Sequence, residues 1–428
     1  MKIGLVSVAA VILFVIGAEI FLVLGITGLL AQYLFLPQLP DMVMVQRMIG
    51  GMNQSTLLAI PFFIFAAELM ARGSIAGRLT DMAEAFVGHR RGGIGHTTTG
   101  ACLLFGSVSG SAPATVAGLG RILYPRLLSS GSGSNFSVGL IVASAEISLL
   151  IPPSITLIIY GWLTGTSIID LFAAGLVVGI ILAAGFSVYV HIHSLIVRPA
   201  LMEKVDAARR WKALKGAALP LGMPILILGG IYSGFFTTTE AAAVAAIYAL
   251  VVETLITRSL NWRQVCSVAE SAALVIVGLF IILAVGSYLS FLVTLTGVPA
   301  AIAQTIAAAD MSVIHFLLIV NLVFIIAGMF LDPVSMQIVL VPMLAPVAFT
   351  LGVDPVHFGI IVVLNVAIGT VTPPFGLDLF VASTTLRLPV SQIIAGVIPF
   401  LLVNIAVLML ITLFPDISTW FPQLLRRS

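Results

Sequence analysis

Apolar residues in this chain run on without the alternation of strands or the one-sided stripes of soluble helices. About 20 apolar residues span a bilayer as a helix, and runs near that length recur from end to end. The pattern predicts segments at 3–17, 18–36, 52–71, 97–111, 113–128, 136–151, 154–165, 171–197, 218–233, 237–257, 265–295, 313–331, 334–350, 356–371, 374–386 and 390–414. Several are too short to cross alone. Segments 97–111 with 113–128, and 313–331 with 334–350, read as helical hairpins, with Pro113 and Pro333 at or beside their tips. Segments 136–151 and 356–371 end at Pro-Pro pairs and then resume, as broken helices do.

The interruptions repeat. Gly106-Ser-Val-Ser-Gly-Ser-Ala112 and Ile151-Pro-Pro-Ser154 are answered by Gly328-Met-Phe-Leu-Asp-Pro333 and Thr372-Pro-Pro-Phe-Gly376. Gly106 to Gly328 is 222 residues, and Pro152 to Pro373 is 221. Intramembrane backbone stripped of helical hydrogen bonds is tolerated only where protein or a water-filled cavity re-satisfies it. Gly/Pro-interrupted segments at matching positions of two halves therefore point to a carrier's binding site.

Charge reports how the halves are oriented. Arg72, Arg78, Arg90, Arg91, Arg121 and Arg126 lie between 72 and 126, whereas the matching window 293–348 holds no Lys or Arg. Arg387 follows the second Pro-Pro pair, and the stretch near Asp170 carries no basic residue. Equivalent loops thus fall on opposite sides of the membrane, the signature of an inverted-topology repeat. The polar stretch 198–216 carries Arg198, Lys204, Arg209, Arg210, Lys212 and Lys215 against Glu203 and Asp206, which marks a cytoplasmic linker read as a surface helix. The expected division is 1–197 as the first repeat, 198–217 as the linker and 218–428 as the second repeat. Counting crossings back from the linker puts the N-terminus outside. Arg426 and Arg427 then fall on the outer side, against the charge rule.

Composition narrows the class. Apolar residues make up 60% and charged residues 8%, with mean hydropathy +1.20, where a soluble domain carries about a quarter charged residues. The fold class is an all-α polytopic membrane protein. The N-terminal run, with Glu19 inside it and no small-residue cleavage site, reads as membrane segments and not a removable signal. A net charge of +2 with basic residues in loops implies no nucleic acid. Isolated Cys102 and Cys266 supply neither a disulfide framework nor a metal set, and the six histidines show no ligand spacing. No Gly-x-x-x-x-Gly-Lys-Ser/Thr phosphate loop is present, so ATP is not expected to drive the protein.

Proline removes a backbone donor and clashes with the carbonyl four residues back. Leu149, Leu150 and Ile151 before one pair, and Thr370, Val371 and Thr372 before the other, can therefore present carbonyl oxygens to a bare cation. Ser154, Asn365 and Thr370 can add side-chain oxygens. Oxygen-only ligation suits Na⁺, and two such sites would make an ion-coupled carrier. Ser107, Ser109 and Ser111 crowd one hairpin tip with Gly106 and Gly110, fit either for tight packing or for binding. Asp332 stands at the other tip as a helix cap or a functional charge. Glu19 and Glu240, 221 residues apart, and Glu68 and Glu146 are further membrane acids. No basic residue stands clearly within the core, so an anion would rely on half-helix N-termini and bound cations.

These motifs resemble one permease family, the large membrane subunit of tripartite ATP-independent periplasmic (TRAP) transporters. The resemblance rests on Gly106-Ser-Val-Ser-Gly-Ser-Ala112, Ile151-Pro-Pro-Ser154 with Tyr160-Gly161 and Ser167-Ile168, Thr237-Thr-Thr-Glu-Ala-Ala-Ala243, Leu331-Asp-Pro-Val-Ser-Met336, Asp354-Pro-Val-His-Phe-Gly359 and Gly369-Thr-Val-Thr-Pro-Pro-Phe-Gly376. Gly17-Ala-Glu19 departs from it, where a Gly-Val-Pro type sequence is expected. The resemblance implies an elevator-type, Na⁺-driven importer with scaffold and transport domains in a bacterial inner membrane. Its partners would be membrane lipid, a separate small four-helix membrane subunit and a periplasmic binding protein that delivers an organic acid. The Na⁺-binding region it implies is Ser107, Ser109, Ser111, Pro152, Ser154, Asp332, Asn365, Gly369, Thr370, Thr372 and Pro373. The organic acid is expected against Ser109, Gly110, Ser154, Thr372 and Gly376. Na⁺ is the only metal expected, with no cofactor and no catalytic residues. The alternatives are a stand-alone dicarboxylate/Na⁺ symporter and an intramembrane aspartyl protease using Asp332 and Asp378. Neither aspartate has the Gly-x-Gly-Asp context of such a protease.

Overall fold

Helix ends in this chain follow its prolines, glycines and hydroxyl caps. The computed structural model describes residues 2–73, 75–200 and 204–427, and among them the regular structure is entirely helical. Seven of the described helices are long and apolar enough to cross a membrane.

The first half runs through Lys2–Val15, Ile20–Phe35, Asp41–Met52, Ala59–Arg72 and Ile75–Val87. It continues as the hairpin Gly93–Ser109 and Ala112–Ser129, the broken helix Ser134–Ala145 and Ile155–Thr164, and the long helix Ile168–Val197. The second half repeats the series as Ala207–Tyr232, Thr238–Val251, Trp262–Leu295 and Val298–Ala308. Its hairpin is Val313–Gly328 and Pro333–Thr350, its broken helix Pro355–Val371 and Leu377–Leu386, and its long helix Val390–Leu413. Trp262–Leu295 stands where the first half has two helices. Asn53, Gln54 and Pro61 interrupt the earlier run, and no proline occurs between 262 and 295.

The expected segments omit four short helices: Asp41–Met52, Ile75–Val87, Val298–Ala308 and Asp416–Arg427. Each is too short or too polar to register as a bilayer-length apolar run. The basic linker is also not a separate helix. Arg198 closes the long helix in the left-handed region (φ 51°), and Glu203, with residues 201–202, lies outside the described residues. The rest feeds into Ala207–Tyr232, whose first backbone donors are capped by Asp206, accepting from Arg209 N at 3.0 Å.

The halves interlock reciprocally. The second arm of the first hairpin packs on Leu377–Leu386, and the second arm of the other hairpin packs on Ile155–Thr164. Likewise Ser134–Ala145 lies on Val390–Leu413, and Pro355–Val371 on Ile168–Val197. Pro355–Val371 is buried along almost its whole length, which explains an apolar run with no polar face. Ala59–Arg72 and Trp262–Leu295 flank this core, the first packed on the hairpin arm Gly93–Ser109 and the second on Pro333–Thr350. The C-terminal helix Asp416–Arg427 returns to Ile168–Val197, where Arg426 pairs with the carboxylate of Asp170. The arginine expected to run against the charge rule thus has a local carboxylate partner.

Candidate functional site

Each hairpin tip is built to meet a Pro-Pro break. Gly110 ends the first arm in the left-handed region (φ 58°), with its N–H donating to Gly106 O at 2.9 Å. A side chain at Gly110 would place its Cβ 2.2 Å from Pro153 O, so only glycine lets the tip rest on the break. Ser111 Oγ then caps the return arm, accepting from Ala114 N at 3.5 Å. In the second half Gly328 and Gly369 play this part. A Cβ on either would lie 2.6 or 2.7 Å from the other's Cα, so the hairpin and the broken helix touch backbone to backbone. Asp332 caps the return arm, its Oδ2 accepting from Val334 N at 3.0 Å and Ser335 N at 3.2 Å. Both Pro-Pro peptide bonds are cis.

Hydroxyls link the first tip to the first break. Ser109 Oγ lies 3.0 Å from Thr115 Oγ1, which lies 2.7 Å from Ser148 Oγ. Beyond the break, Ser154 Oγ donates to Leu149 O at 2.5 Å, and Thr156 Oγ1 donates to the same carbonyl at 3.0 Å. Leu149 O, expected to be left for a cation, is therefore already satisfied by two hydroxyls. In the second half Thr370 Oγ1 donates to Ala367 O at 2.7 Å and Thr372 Oγ1 to Ile368 O at 2.6 Å. Those bonds leave the hydroxyl lone pairs as acceptors. The Thr370 and Thr372 carbonyls crowd Gly376, where a Cβ would come within 2.6 and 2.9 Å of them. Asn365 is fully buried. Its Nδ2 donates to Asn321 Oδ1 at 2.7 Å and Ile361 O at 2.9 Å, while its Oδ1 has no hydrogen-bond partner.

Both tips, the flanks of the first break and the start of the helix after the second break line one cavity of about 250 Å³. Ser109, Gly110 and Ser111 line it from the first tip, Leu149 and Thr156 from the first break, and Asp332 and Leu377 from the second half. Ile64, Ala67 and Glu68 line it from Ala59–Arg72, and Val275 and Leu279 from Trp262–Leu295. Its only charged lining side chains among the described residues are Glu68 and Asp332.

Not every expected site residue faces this cavity. Ser107 turns its hydroxyl back to Leu104 O at 2.6 Å, within its own helix. Pro152, Ser154, Asn365, Gly369, Thr370, Thr372, Pro373 and Gly376 do not line the cavity: Pro152, Ser154, Thr372, Pro373 and Gly376 belong to the two breaks, and Asn365, Gly369 and Thr370 to the helix Pro355–Val371 that leads into the second. Glu240 is structural: it forms a capping box with Thr237, accepting from Thr237 N at 2.8 Å. Thr115, Ser148, Thr156 and Asn321 belong to the polar framework, though the sequence reading does not single them out. Thr115 and Thr156 follow Ser111 and Ser154 by four and two residues, and Asn321 interrupts an apolar run, so a signal is present at each of these three.

Comparison with known proteins agrees with this architecture. The family described as tripartite ATP-independent periplasmic transporter, DctM component, matches residues 6–417. The ectoine/5-hydroxyectoine TRAP transporter large permease protein UehC of Ruegeria pomeroyi is 41% identical over 381 residues, 89% of each chain. The ectoine TRAP transporter large permease protein TeaC of Halomonas elongata is 37% identical over 413 residues, 96% of this chain and 97% of that one. The C4-dicarboxylate TRAP transporter large permease protein DctM of Pseudomonas aeruginosa is 38% identical, with 95% of each chain covered. Among solved structures, the YdaH transporter of Alcanivorax borkumensis shares the fold, with a TM-score of 0.58 at 14% identity over 97% of this chain and 99% of that chain. These are transport proteins, not enzymes, which removes the aspartyl protease alternative. With the family match spanning residues 6–417, the chain belongs to the large permease subunits of TRAP transporters.

Proposed function

We propose that this chain is the permease of a Na⁺-coupled importer that takes an organic acid from a periplasmic binding protein and works with a small membrane subunit. The observation that carries the reading is the convergence of both hairpin tips and the helix ends at both breaks on one cavity, lined also by Ala59–Arg72 and Trp262–Leu295. In this reading the hairpins and broken helices carry substrate and ions as a unit across a scaffold formed by those outer helices. Na⁺ would be held by the acceptor oxygens around Asn365, Thr370 and Thr372, and by the hydroxyl cluster at the first tip. The half-helix N-termini at Ser111, Asp332 and Ser154 point positive dipole ends at the same region, which favours a carboxylate. Residues 1–197 and 218–428 serve as the two repeats, joined by the basic segment on the cytoplasmic side.

The cavity lining favours one kind of acid. Glu68 and Asp332 face it without a Lys, Arg or His among the described residues. A dianion would gain nothing from those side chains, whereas a zwitterion such as ectoine can set its cationic part against a carboxylate and its own carboxylate on a helix N-terminus. Reconstituting the chain with the small subunit and the binding protein, and measuring uptake of ectoine against C4-dicarboxylates, tests the proposal. Uptake should need all three proteins and inward Na⁺. Uptake that persists with choline in place of Na⁺ overturns the coupling, and uptake without the binding protein favours the stand-alone symporter.

A further inference from the structure

Of the carboxylates buried among the described residues, Asp170 pairs with Arg426 and Glu253 accepts from Thr257 and Ser259, whereas Glu146 and Asp378 meet no cation and do not line the substrate cavity. Both are fully buried. Glu146 begins the short turn Glu146–Leu149 that leads into the first break, and its two oxygens accept from the Asn404 amide at 3.2 and 2.9 Å. Asp378 stands in the first turn of Leu377–Leu386, which packs against both Ser134–Ala145 and the Asn404 helix Val390–Leu413. It is close enough to Glu146 for its charge to act there. The Thr370 hydroxyl stands beside Asp378 but spends its proton on Ala367 O. Both oxygens of Asp378, and the amide oxygen of Asn404, are buried without any hydrogen-bond partner.

Among the described residues no basic side chain compensates these acids. On the helices packed around them Arg126 is engaged by Asp81 and Glu84, and Arg121 and Arg387 are exposed. Buried charge of this kind is expensive unless an opposite charge meets it, and inside a membrane it marks a function by default. The free atoms are all acceptors, which a donor or a cation can meet, and the buried Asp378 charge selects a partner that is positive. A proton on Asp378 supplies a single donor, enough for Asn404 Oδ1 at most, and leaves the second Asp378 oxygen and the Glu146 charge unmet. A Ca²⁺ ion asks for roughly six to eight oxygens, and Mg²⁺ keeps several waters. A few side chains in a fully buried setting supply neither.

We propose that Asp378, Glu146 and Asn404 form a further cation site, additional to the oxygen cluster at Asn365, that takes a small, hard monovalent ion, namely Na⁺. Asp378 supplies the direct carboxylate ligand and Asn404 an amide oxygen. Glu146 adds negative field while the Asn404 N–H groups partly offset its charge. The site joins residues from both halves, so an ion there ties the two broken helices together. The inference rests on the Na⁺-coupled reading and adds to it a site charged by this chain's own buried acids.

The test is thermal unfolding of the full chain in lipid nanodiscs, titrated with NaCl against choline chloride at constant ionic strength. Ligand that binds only the folded state raises its stability. The unfolding midpoint of the wild type should climb with Na⁺. Asp378→Asn should raise the half-saturating Na⁺ concentration by about tenfold or more, the range of a lost charged ligand. Its midpoint without Na⁺ should equal or exceed the wild type's, because an uncompensated charge has gone. Glu146→Gln, which keeps an acceptor for Asn404, should weaken the Na⁺ response less. A wild-type Na⁺ response in Asp378→Asn overturns the site while leaving Na⁺ coupling intact, which Asn365→Ala then probes separately. A midpoint that follows pH but not Na⁺ assigns the acids to a proton and overturns it too. A wild type indifferent to Na⁺ removes both this site and the coupling. Lower stability of Asp378→Asn at every Na⁺ concentration, with unchanged half-saturation, reduces the aspartate to a structural role.

Discussion

Replacing Gly110 by Ala tests the contact between the first hairpin tip and the first break. Two costs add at this position. The left-handed conformation (φ 58°) penalises a Cβ by roughly 1–2 kcal/mol. The new Cβ would also stand 2.2 Å from Pro153 O, where ordinary contact begins at 3.4 Å, so tip or break must yield by about 1.2 Å. Overpacking of that kind typically costs about 1–3 kcal/mol. Gly131 separates the two costs. It has φ 86° and nothing within 4 Å of where a Cβ would stand, so Gly131→Ala carries only the backbone cost. Gly131→Ala should therefore lose roughly 1–2 kcal/mol with Na⁺ response intact, while Gly110→Ala loses about 2–5 kcal/mol. Because the displaced carbonyl belongs to the break, Gly110→Ala should also weaken the Na⁺-dependent rise in unfolding midpoint. The assay is thermal unfolding in nanodiscs across a Na⁺ series. If Gly110→Ala behaves like Gly131→Ala in both stability and Na⁺ response, the tip does not bear on the break.

Three further outcomes follow from the same geometry. Asn365→Ala removes the buried amide oxygen and the bond to Asn321, and Asp332→Ala the cavity carboxylate. Each should raise the Na⁺ needed for half-maximal uptake roughly ten- to a hundredfold, while the surface change Lys212→Ala leaves it alone. Arg426→Ala should free the C-terminal helix Asp416–Arg427, read as faster limited proteolysis there. Its effect on global stability should be small, about 0–1 kcal/mol, because the arginine side chain is 64% exposed and screened. Single cysteines at Arg90 and Asp310 should be labelled from opposite faces of the membrane, and labelling from one face would contradict the inverted arrangement.

Much of this architecture is legible along the chain. Apolar run length separates spanning helices from half-length ones, because a bilayer imposes a distance and a helix has a fixed rise. Gly/Pro interruptions place both tips and both breaks to within a few residues, since proline and left-handed glycine constrain the backbone wherever they occur. The spacing of 221 residues between the Pro-Pro pairs and the unequal arginines point to two opposed repeats. The helices at Asp41–Met52, Ile75–Val87, Val298–Ala308 and Asp416–Arg427 escape, because none makes a bilayer-length apolar run.

What the sequence determined by itself, then, was the local set of elements: where helices must break, which residues cap them and which ends carry charge. Only the tertiary structure decided which elements meet. That Glu68 and Leu279 line the same cavity as Ser109 and Asp332 depends on outer helices from other parts of the chain. That Leu149 O is taken by Ser154 and Thr156, while Asn365 Oδ1 and both Asp378 oxygens are left without partners, depends on side-chain directions fixed by packing. Glu240 and Glu146 illustrate the limit, being alike as acids in apolar runs. One lies exposed in a capping box with its neighbour Thr237, and the other is fully buried against Asn404, 258 residues away. Burial and partnership across such separations arise from how the two halves interlock, which no local pattern encodes.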